Sequence, residues 1–360
     1  MLLFFILLGL NLFIITITVI PYLKLQDWWI RAFDFPRLQS FVLGCLLLLA
    51  ELFFLDMTQP PSWALISITV LFLLLQGWWI FPYSPLANTE VKAVEQPQHN
   101  VGSQQRIRLL CANVLTPNRN STALLELIQR YRPDILVTLE TNQWWQQELA
   151  VIESDYPYSL KCPLDNLYGM HVYSKIEFAE SRLAFLVEKD VPSMHFLLRL
   201  HEHADVRLHV LHPAPPSPTE NDTSEARDGE LLQVAKYCKR QQEYHDLPVI
   251  VAGDLNDVAW SRSTRLFRKI SGLLDPRVGR GMFNTFDARY WPVRWPLDHI
   301  FHSAHFKLVK MQRLTKIGSD HFPIFIELEL QPEVAAEQEG LKANAEDRAW
   351  AEEKLSKVDA

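Results

Sequence analysis

The segment Val249-Ile250-Val251-Ala252-Gly253-Asp254-Leu255-Asn256 joins four apolar residues to a polar turn. A short apolar run that ends in turn residues is typical of a buried β-strand. Alternate side chains of an extended chain share a face, so Asp254 and Asn256 point the same way while Leu255 points inward. A carboxylate and an amide in this arrangement can orient a water molecule and hold a phosphate. The alternative is an Asx-type turn that only closes the strand.

The same pattern, a polar group at the end of an apolar run, recurs along the chain. Five further motifs have it: Cys111-Ala112-Asn113-Val114, Leu139-Glu140, Leu211-His212-Pro213, Leu297-Asp298-His299-Ile300 and Ser319-Asp320-His321. Each motif alone also fits an ordinary strand end or turn. Together they supply the carboxylate, amide and imidazole groups that metal-dependent phosphate hydrolysis requires.

The carboxylates suggest a metal ligand and a histidine partner. Glu140 is the first candidate ligand for Mg²⁺, or alternatively Mn²⁺, because Mg²⁺ binds through oxygen atoms and one or two carboxylates. Asp320 is the second candidate on the metal side. Asp298 and His321 form a candidate pair in which the carboxylate orients the imidazole and stabilises its charged form. His299 is expected to pack or to face solvent.

Three further polar residues are candidates for the same site. Asn113 can position either a metal-binding carboxylate or the phosphate. His212 opens a proline-rich loop, residues 213–229, which is either a mobile lid or a surface excursion; a lone histidine there can equally be structural. Arg227 is expected to bind substrate phosphate from this loop, the alternative being an ordinary surface arginine.

The first 82 residues are predicted to form a transmembrane region of two or three helices. Apolar stretches occupy residues 2–23, 41–55 and 63–81, and a membrane span needs about 20 such residues. The second stretch is shorter and contains Glu51, so it either crosses or forms a re-entrant segment. Glu51 is expected to reach the lipid headgroups from a helix end, the alternative being a functional charge within the membrane.

The charges do not decide on which side of the membrane the C-terminal part lies. The loop 24–37 carries three basic residues and the loop 56–62 carries none, which favours a cytoplasmic first loop by the positive-inside rule. Three spans then place the large C-terminal part in the cytoplasm, and two spans place it outside. Residues 83–105 are predicted to be a linker that tethers this part to the bilayer.

The region after the linker is predicted to be an α/β domain. Strands are predicted at residues 106–114, 135–139, 170–174, 195–200, 206–211, 249–252, 297–301, 306–314 and 324–330, and helices from 121 and at 227–244. Between residues 84 and 330, 28 basic residues face 30 acidic ones, whereas a duplex-binding protein usually has a basic surplus. Residues 331–360, with eight acidic and four basic residues, are expected to be a disordered tail.

Taken together, the six motifs resemble those of the endonuclease/exonuclease/phosphatase superfamily, which includes DNase I. The resemblance covers residues 106–330 and implies a four-layer α/β sandwich: two mostly antiparallel β-sheets flanked by helices, here preceded by an all-α transmembrane segment. It further implies Mg²⁺ at Glu140, and a nucleophile and phosphate handled by Asp254 and Asn256. It implies that His212 and His321 stabilise the phosphoryl oxygens and that Asp298 supports His321.

Two departures from the family pattern concern substrate choice more than activity. Leu211 stands where a threonine is usual, and His171 where a small apolar residue is common. The apolar N-terminal region and the sequence His212-Pro213-Ala214-Pro215-Pro216 look like a membrane-anchored bacterial branch, which includes proteins linked to glycopeptide resistance and expected to act on polyprenyl phosphates. This branch implies a multi-pass protein of the bacterial inner membrane. Its members generally hold the domain outside the cytoplasm, against the charge pattern.

The leading hypothesis is a membrane-anchored, Mg²⁺-dependent phosphohydrolase that cleaves a phosphate ester or anhydride, with the lipid bilayer and a phosphate-containing, lipid-linked substrate as partners. A nuclease is the alternative, less favoured by the near-neutral domain. A catalytically silent membrane scaffold is a third hypothesis, although no site residue is missing. The motifs do not distinguish a monoesterase from a diesterase, and no protein partner is evident.

Overall fold

The computed structural model describes residues 2–95, 105–201 and 204–358, except for the side chain of His201. Its helices are α1 Leu2–Val19, α2 Trp28–Arg31, α3 Arg37–Phe54, α4 Pro60–Ile80, α5 Ser121–Tyr131, α6 Gln143–Leu149, α7 Glu225–His245, α8 Arg262–Ser271 and α9 Ala345–Ser356. Its strands are β1 Arg106–Asn113, β2 Ile135–Leu139, β3 Tyr158–Cys162, β4 Met170–Ser174, β5 Glu177–Ala184, β6 Ser193–His201, β7 Ala204–Leu211, β8 Val249–Asp254, β9 Asp298–His302, β10 Phe306–Arg313 and β11 Ile324–Leu330.

The strands form two mixed sheets that pack face to face. The order is β10-β11-β1-β2-β4-β3 in the first sheet and β5-β6-β7-β8-β9 in the second. Among the strand pairs that the structure describes, β1 with β2 and β7 with β8 are parallel, and the others are antiparallel. The predicted sandwich of two mostly antiparallel sheets is therefore confirmed.

The layers are held together by apolar side chains from both faces of each sheet. Between the sheets, side chains such as Val137 and Leu208 form the central core. Helices α5 and α6 cover the outer face of the first sheet, where Trp145 is buried. Helices α7 and α8 cover the second sheet, with Phe267 packed against Phe301. Each sheet thus has one face against the other sheet and one against helices.

The strand pairings bring the polar motifs to one end of the sandwich. Asn113 is in register with Leu139, the residue before Glu140, because β1 and β2 are parallel. Asp254 is in register with Asp298 across the antiparallel pair β8 and β9. Side chains distant in sequence therefore meet where these strands end.

Three helices, α1, α3 and α4, are long and apolar enough to cross a membrane. They pack together through Leu7, Leu47 and Phe72. Glu51 is buried between them and accepts hydrogen bonds from Asn11 Nδ2 at 2.5 Å and Thr69 Oγ1 at 2.9 Å. The expectation that Glu51 reaches the headgroups is wrong, because its position on α3 faces the two neighbouring helices.

The helix bundle packs directly on the α/β domain. Ile80 and Tyr83 lie against Trp260 and Leu297 in one buried cluster. Trp260 Nε1 donates a hydrogen bond to the carbonyl of Asp34 at 2.8 Å, and Tyr83 Oη donates to the carbonyl of Ala259 at 2.7 Å. The two parts of the chain therefore share an apolar interface.

The start of the predicted linker is packed rather than free. Val91 is buried in the central core, and Ala93 bridges to Leu308 of β10. An apolar side chain that finds a core position is withdrawn from water, which fixes the segment around it. The linker prediction for residues 96–104 lies outside the described residues.

The predicted disordered tail is largely ordered. Residues Pro332–Glu337 form a 3-10 helix, and α9 begins with a capping box between Asn344 and Asp347. Ala351 and Leu355, one turn apart, pack on α7 and α8. Lys354 Nζ reaches the buried carboxylate of Asp228 at 2.7 Å. Composition indicated disorder here, but these contacts hold the helix in place.

Candidate active site

Asn113 joins the ends of both sheets. Its Nδ2 donates to Glu140 Oε1 at 2.7 Å and lies 3.2 Å from Asp254 Oδ2. The side chain is buried at the end of β1, and its Oδ1 accepts a hydrogen bond from the Leu115 amide at 3.1 Å. With every polar atom engaged, Asn113 holds the two carboxylates in fixed positions.

Glu140 is the acid at the end of β2. Its backbone has φ 60°, a left-handed conformation that few residues other than glycine and asparagine adopt. Burial raises the pKa of Glu140 to about 7, against the opposing effects of the Asn113 hydrogen bond and of His321. Its Oε2 is buried and has no hydrogen-bond partner among the described residues. A buried carboxylate oxygen in this state lacks a positive partner.

Asp254 and Asn256 occupy the turn that follows β8. Asp254 Oδ1 accepts the backbone N–H of Asn256 at 3.0 Å, and Asn256 Nδ2 donates to the Pro213 carbonyl at 3.0 Å. Gly253 precedes them with φ 146°, and a Cβ there would lie 1.9 Å from the carbonyl oxygen of Leu211. The glycine is therefore required for the close approach of β7 and β8 that sets both side chains.

His321 lies between two carboxylates. Its Nδ1 is 2.8 Å from Asp298 Oδ2 and its Nε2 is 3.4 Å from Asp254 Oδ2. Burial lowers the pKa of His321, but Asp298 and Asp254 overcome this effect and raise it to about 10. Burial also raises the pKa of Asp254, yet His321 and His212 bring it below the ordinary value. The site thus holds an imidazolium beside an ionised Asp254.

His212 differs from His321 in its charge state. Its Nε2 is 3.9 Å from Asp254 Oδ2, and its ring packs against Tyr168 with centroids 5.5 Å apart. Burial lowers the pKa of His212 to about 4, so the imidazole is neutral at pH 7. The structure therefore brings together residues from all six motifs: Asn113, Glu140, His212, Asp254, Asp298 and His321.

Arg227 differs from both of its predicted roles. It is buried, donates to the Asn256 carbonyl at 2.8 Å and pairs with Asp228 at 2.9 Å. The first turn of α7 directs it inward, because Asp228 and Asp257 form a buried acidic cluster around it. Its guanidinium holds the Asn256 turn instead of contacting a phosphate.

Asp320 and His299 lie at the margins of the site. Asp320 Oδ2 is 3.5 Å from Arg289, and its side chain is mostly covered. His299 is buried, with Arg277 at 2.6 Å on one ring nitrogen and the Asp257 carbonyl at 2.8 Å on the other. His299 therefore packs, as one of its predicted alternatives stated.

The comparison with family models decides the classification. The model of the Endonuclease/Exonuclease/phosphatase family matches residues 98–321. The chain belongs to this family. Members of the endonuclease/exonuclease/phosphatase family are metal-dependent hydrolases of phosphate ester bonds, both nucleases and phosphatases, and this chain is an enzyme of that kind. None of the curated proteins is a significant match to the sequence.

Solved structures of other proteins share this fold. D. rerio TDP2 complexed with single-strand DNA product is 17% identical, with a TM-score of 0.50, covering 62% of this chain and 99% of that one. The human Nocturnin catalytic domain with bound sulfate is 16% identical, with a TM-score of 0.52, covering 63% and 95%. A functionally unknown conserved protein from Enterococcus faecalis is 14% identical, with a TM-score of 0.50, covering 62% and 100%. Identities this low show the fold alone.

The site fits the divalent metal that endonuclease/exonuclease/phosphatase enzymes use. Ligand atoms of Asp254, Asp298 and His321 lie within 4.8 Å of one another. However, a protonated imidazole between two carboxylates has no lone pair to offer, since metal binding needs the neutral ring. Glu140, with its buried and unpartnered Oε2, supplies the oxygen that such a cation prefers. Glu140 would therefore hold such a cation, beside the carboxylates of Asp254 and Asp298.

Three residues that contact the site residues were not predicted from the sequence. Thr285 Oγ1 accepts the backbone N–H of Asp298 at 3.1 Å, Tyr168 packs on His212, and Arg289 reaches Asp320. None of them follows a buried strand, so the pattern that exposed the other residues was absent. The only available signal was the cluster Arg289-Tyr290-Trp291, whose large side chains are unusual in a loop.

Proposed function

We propose that this protein is a membrane-anchored, Mg²⁺-dependent phosphohydrolase that cleaves phosphate esters or anhydrides of a lipid-linked substrate. The observation that carries the proposal is the packing of the apolar bundle against residues 258–260, which directly follow the catalytic turn. Trp260, six residues after Asp254, is buried against the bundle and donates to the Asp34 carbonyl. An enzyme whose catalytic turn rests on membrane helices is held next to the substrates of that membrane.

The chemistry assigned to the site divides among its residues. Mg²⁺ bound at Glu140 would neutralise charge on the phosphoryl group. Asp254, kept ionised by the neighbouring imidazolium, orients the attacking water, while Asn256 binds the phosphate. His321 stabilises the phosphoryl oxygens, and Asp298 keeps it protonated. The neutral His212 donates a hydrogen bond to the same oxygens. Mn²⁺ can take the place of Mg²⁺, since both accept oxygen ligands.

The membrane arrangement that fits this function has three spans. Helices α1, α3 and α4 each have the length and hydropathy of a span. The residues between α1 and α3 contact the domain. The Trp28 N–H, for example, donates a hydrogen bond to the Asp222 carbonyl at 2.8 Å. That loop and the domain would then lie on the same side of a bacterial inner membrane.

The test is phosphate release from a polyprenyl diphosphate in mixed micelles, measured for the intact protein and for Asp254→Ala. Asp254 lies between two histidines, so its loss should abolish Mg²⁺-dependent release, as should chelation. Asp155→Ala, at an exposed turn, is the matched control and should retain full activity. Release that survives Asp254→Ala would contradict the assigned site.

A nuclease is the second candidate, supported by the likeness to a TDP2 structure with a single-strand DNA product. The same variants should then abolish nucleotide release from single-stranded DNA. The near-neutral domain, with 28 basic and 30 acidic residues between 84 and 330, disfavours it, because phosphate contacts with basic side chains dominate nucleic-acid binding. Cleavage of DNA without cleavage of the lipid diphosphate would select the nuclease.

A further inference from the structure

An exposed aromatic hairpin lies beside the helix bundle. Residues 286–295, here called the aromatic hairpin, are closed by backbone hydrogen bonds between Phe286 and Trp295. At its tip Tyr290 is 58% exposed and Trp291 is 80% exposed. Large aromatic side chains this exposed are costly in water, since each offers a wide apolar surface. They indicate a surface that meets another apolar or interfacial phase.

The hairpin lies level with the domain-side end of the bundle. Gln39 Nε2, in the first turn of α3, donates to the Pro292 carbonyl at 3.0 Å. Phe35, just before α3, packs edge-on against Trp295 with centroids 5.6 Å apart. The hairpin therefore projects from the point at which α3 leaves the predicted membrane.

Other aromatic side chains mark the same level of the bundle. Trp79, near the end of α4, donates from Nε1 to Tyr22 Oη at 2.8 Å. Tyr22, Trp29 and Trp78 are exposed at this end of the bundle. Tryptophan and tyrosine concentrate at membrane–water interfaces, where the ring is apolar and the polar atom stays hydrated. Tyr290 and Trp291 belong to the same level, because the neighbouring Pro292 accepts the hydrogen bond from Gln39 at this end of the bundle.

The base of the hairpin, but not its tip, is also a wall of the catalytic site. The Ala288 N–H donates to the Asp320 carbonyl at 2.7 Å, and the Phe286 ring lies 4.9 Å from that of His321. Arg289 lies between the hairpin tip and the site, 3.5 Å from Asp320 and about half exposed. One short segment therefore connects the exposed aromatic tip with the catalytic histidine.

We propose that the aromatic hairpin inserts Tyr290 and Trp291 into the headgroup layer of the bilayer that holds the bundle, so that the catalytic site opens onto that layer. Arg289 then lies where a phosphate carried by a lipid would enter the site. The proposal rests on the proposed function for its substrate, but the membrane contact itself does not. The occupant of this surface is the lipid headgroup layer rather than a protein partner, because the tip continues the aromatic belt of the bundle.

The contact is tested without any substrate. Trp291→Cys, with the partly exposed Cys45 and Cys162 replaced by serine, is labelled with an environment-sensitive fluorophore in proteoliposomes. Tyr244→Cys is the control: it is exposed near the far end of α7, about 30 Å along a helix of this length from the end that packs on the bundle. Headgroup spin-labelled lipid should quench the label at position 291 at least about twofold more than at 244. Equal quenching would overturn the proposal.

The substrate part is tested by comparing two substrates. Tyr290→Ala with Trp291→Ala should lower turnover of a polyprenyl diphosphate in vesicles by about tenfold, because the site is no longer held at the headgroups. Turnover of a soluble aryl phosphate should stay unchanged. Equal losses on both substrates would overturn the headgroup role. Quenching at position 291 in a protein that hydrolyses neither substrate would support the membrane contact while the proposed function fails.

Discussion

His212 and His321 lie on either side of Asp254, and at neutral pH His212 is neutral while His321 is positively charged. Burial, together with the nearby His321 and against the effect of Asp254, lowers the pKa of His212 to about 4. His321 is buried as well, but Asp298 at 2.8 Å and Asp254 at 3.4 Å raise its pKa to about 10. The number of carboxylates in contact therefore decides which ring is charged. One neutral and one charged donor converge on the place where a phosphoryl group would sit.

Asp298→Asn should reduce catalysis through His321. The amide keeps the shape of the carboxylate but loses its charge, so the pKa of His321 falls and its charged form is lost at lower pH. We expect kcat to fall by about 10²–10⁴-fold, the usual weight of a positioned acid or base and its partner. The alkaline limb of the pH–rate profile should move to lower pH. A reduced kcat with an unmoved alkaline limb would contradict the assigned pairing.

The same pair should make stability depend on pH in the metal-free protein. His321 has a folded pKa of about 10 and an unfolded pKa of about 6.5. The folded state therefore keeps a proton that the unfolded state releases, so the stabilisation is complete below pH 6.5 and is lost as pH rises towards 10. The free energy of unfolding should fall by up to about 1.4 kcal/mol per pH unit across this window. Thermal melts with chelator should show this slope, and His321→Asn should remove it.

The residues of the candidate site were predictable from local sequence, whereas their partners were not. Asp254 and Glu140 follow from their positions at the ends of apolar runs. Asn256 does not continue the strand alternation: its φ is 51° and its N–H donates to Asp254 Oδ1, which is the Asx-type turn given as the alternative. Arg227 was misassigned because its partners, Asp228 and the Asn256 carbonyl, meet only after α7 has docked. Burial and charge pairing are properties of the folded chain, and no local pattern encodes them.

At the scale of elements, every central strand was predicted, as were the edge strands β9 and β10, but two other edge strands were missed. Strands β2, β4 and β11 have the predicted bounds, because nearly all of their residues are buried and most are apolar. Strands β3 and β5 lie at sheet edges and expose most of their side chains. Their sequences lack the apolar run on which the prediction depended. An edge strand is specified by its neighbour rather than by its own composition.

Helix α9 provides an element-scale prediction. Lys354 is buried in its pair with Asp228, whereas Lys357 makes an exposed pair with Glu225. Lys354→Ala leaves a buried carboxylate with one partner fewer, which should lower the free energy of unfolding by about 3–5 kcal/mol. Lys357→Ala should cost about 0–1 kcal/mol. Thermal or denaturant unfolding of both variants measures the difference, and equal effects would contradict the role assigned to α9.

At the scale of the whole molecule, bundle and domain form one packed unit. The apolar stretches predicted two or three helices, and the strand pattern predicted the sandwich. Neither indicated that Trp260 would lie against the bundle, because contacts between distant segments depend on the shape of both surfaces. The charge pattern of loop 24–37 has a structural explanation as well: Arg31 and Arg37 pair with buried Asp34. Two of the three basic residues of this loop therefore form ion pairs at the interface between the bundle and the domain.

Trp260→Ala tests whether the bundle and the domain form one packed unit. Truncating a buried tryptophan should cost about 3–5 kcal/mol, and here it also removes the hydrogen bond to Asp34. We expect a lower Tm in detergent together with weaker phosphate release, since the loop bearing Trp260 continues from the catalytic turn. Trp291→Ala, at a site 80% exposed, should leave Tm unchanged. A Trp260→Ala protein with unchanged Tm would show that the two parts are independent.

The contact between Lys354 and Asp228 has a consequence for synthesis. Arg227, beside Asp228, holds the turn that carries Asn256, yet Lys354 is made almost a hundred residues after that turn. While the chain is still on the ribosome, its membrane helices can insert and its strands can pair, but the acid cluster behind the turn lacks its lysine. A nascent chain therefore carries every side chain of the candidate site before Lys354 has been added to support the turn that bears Asn256.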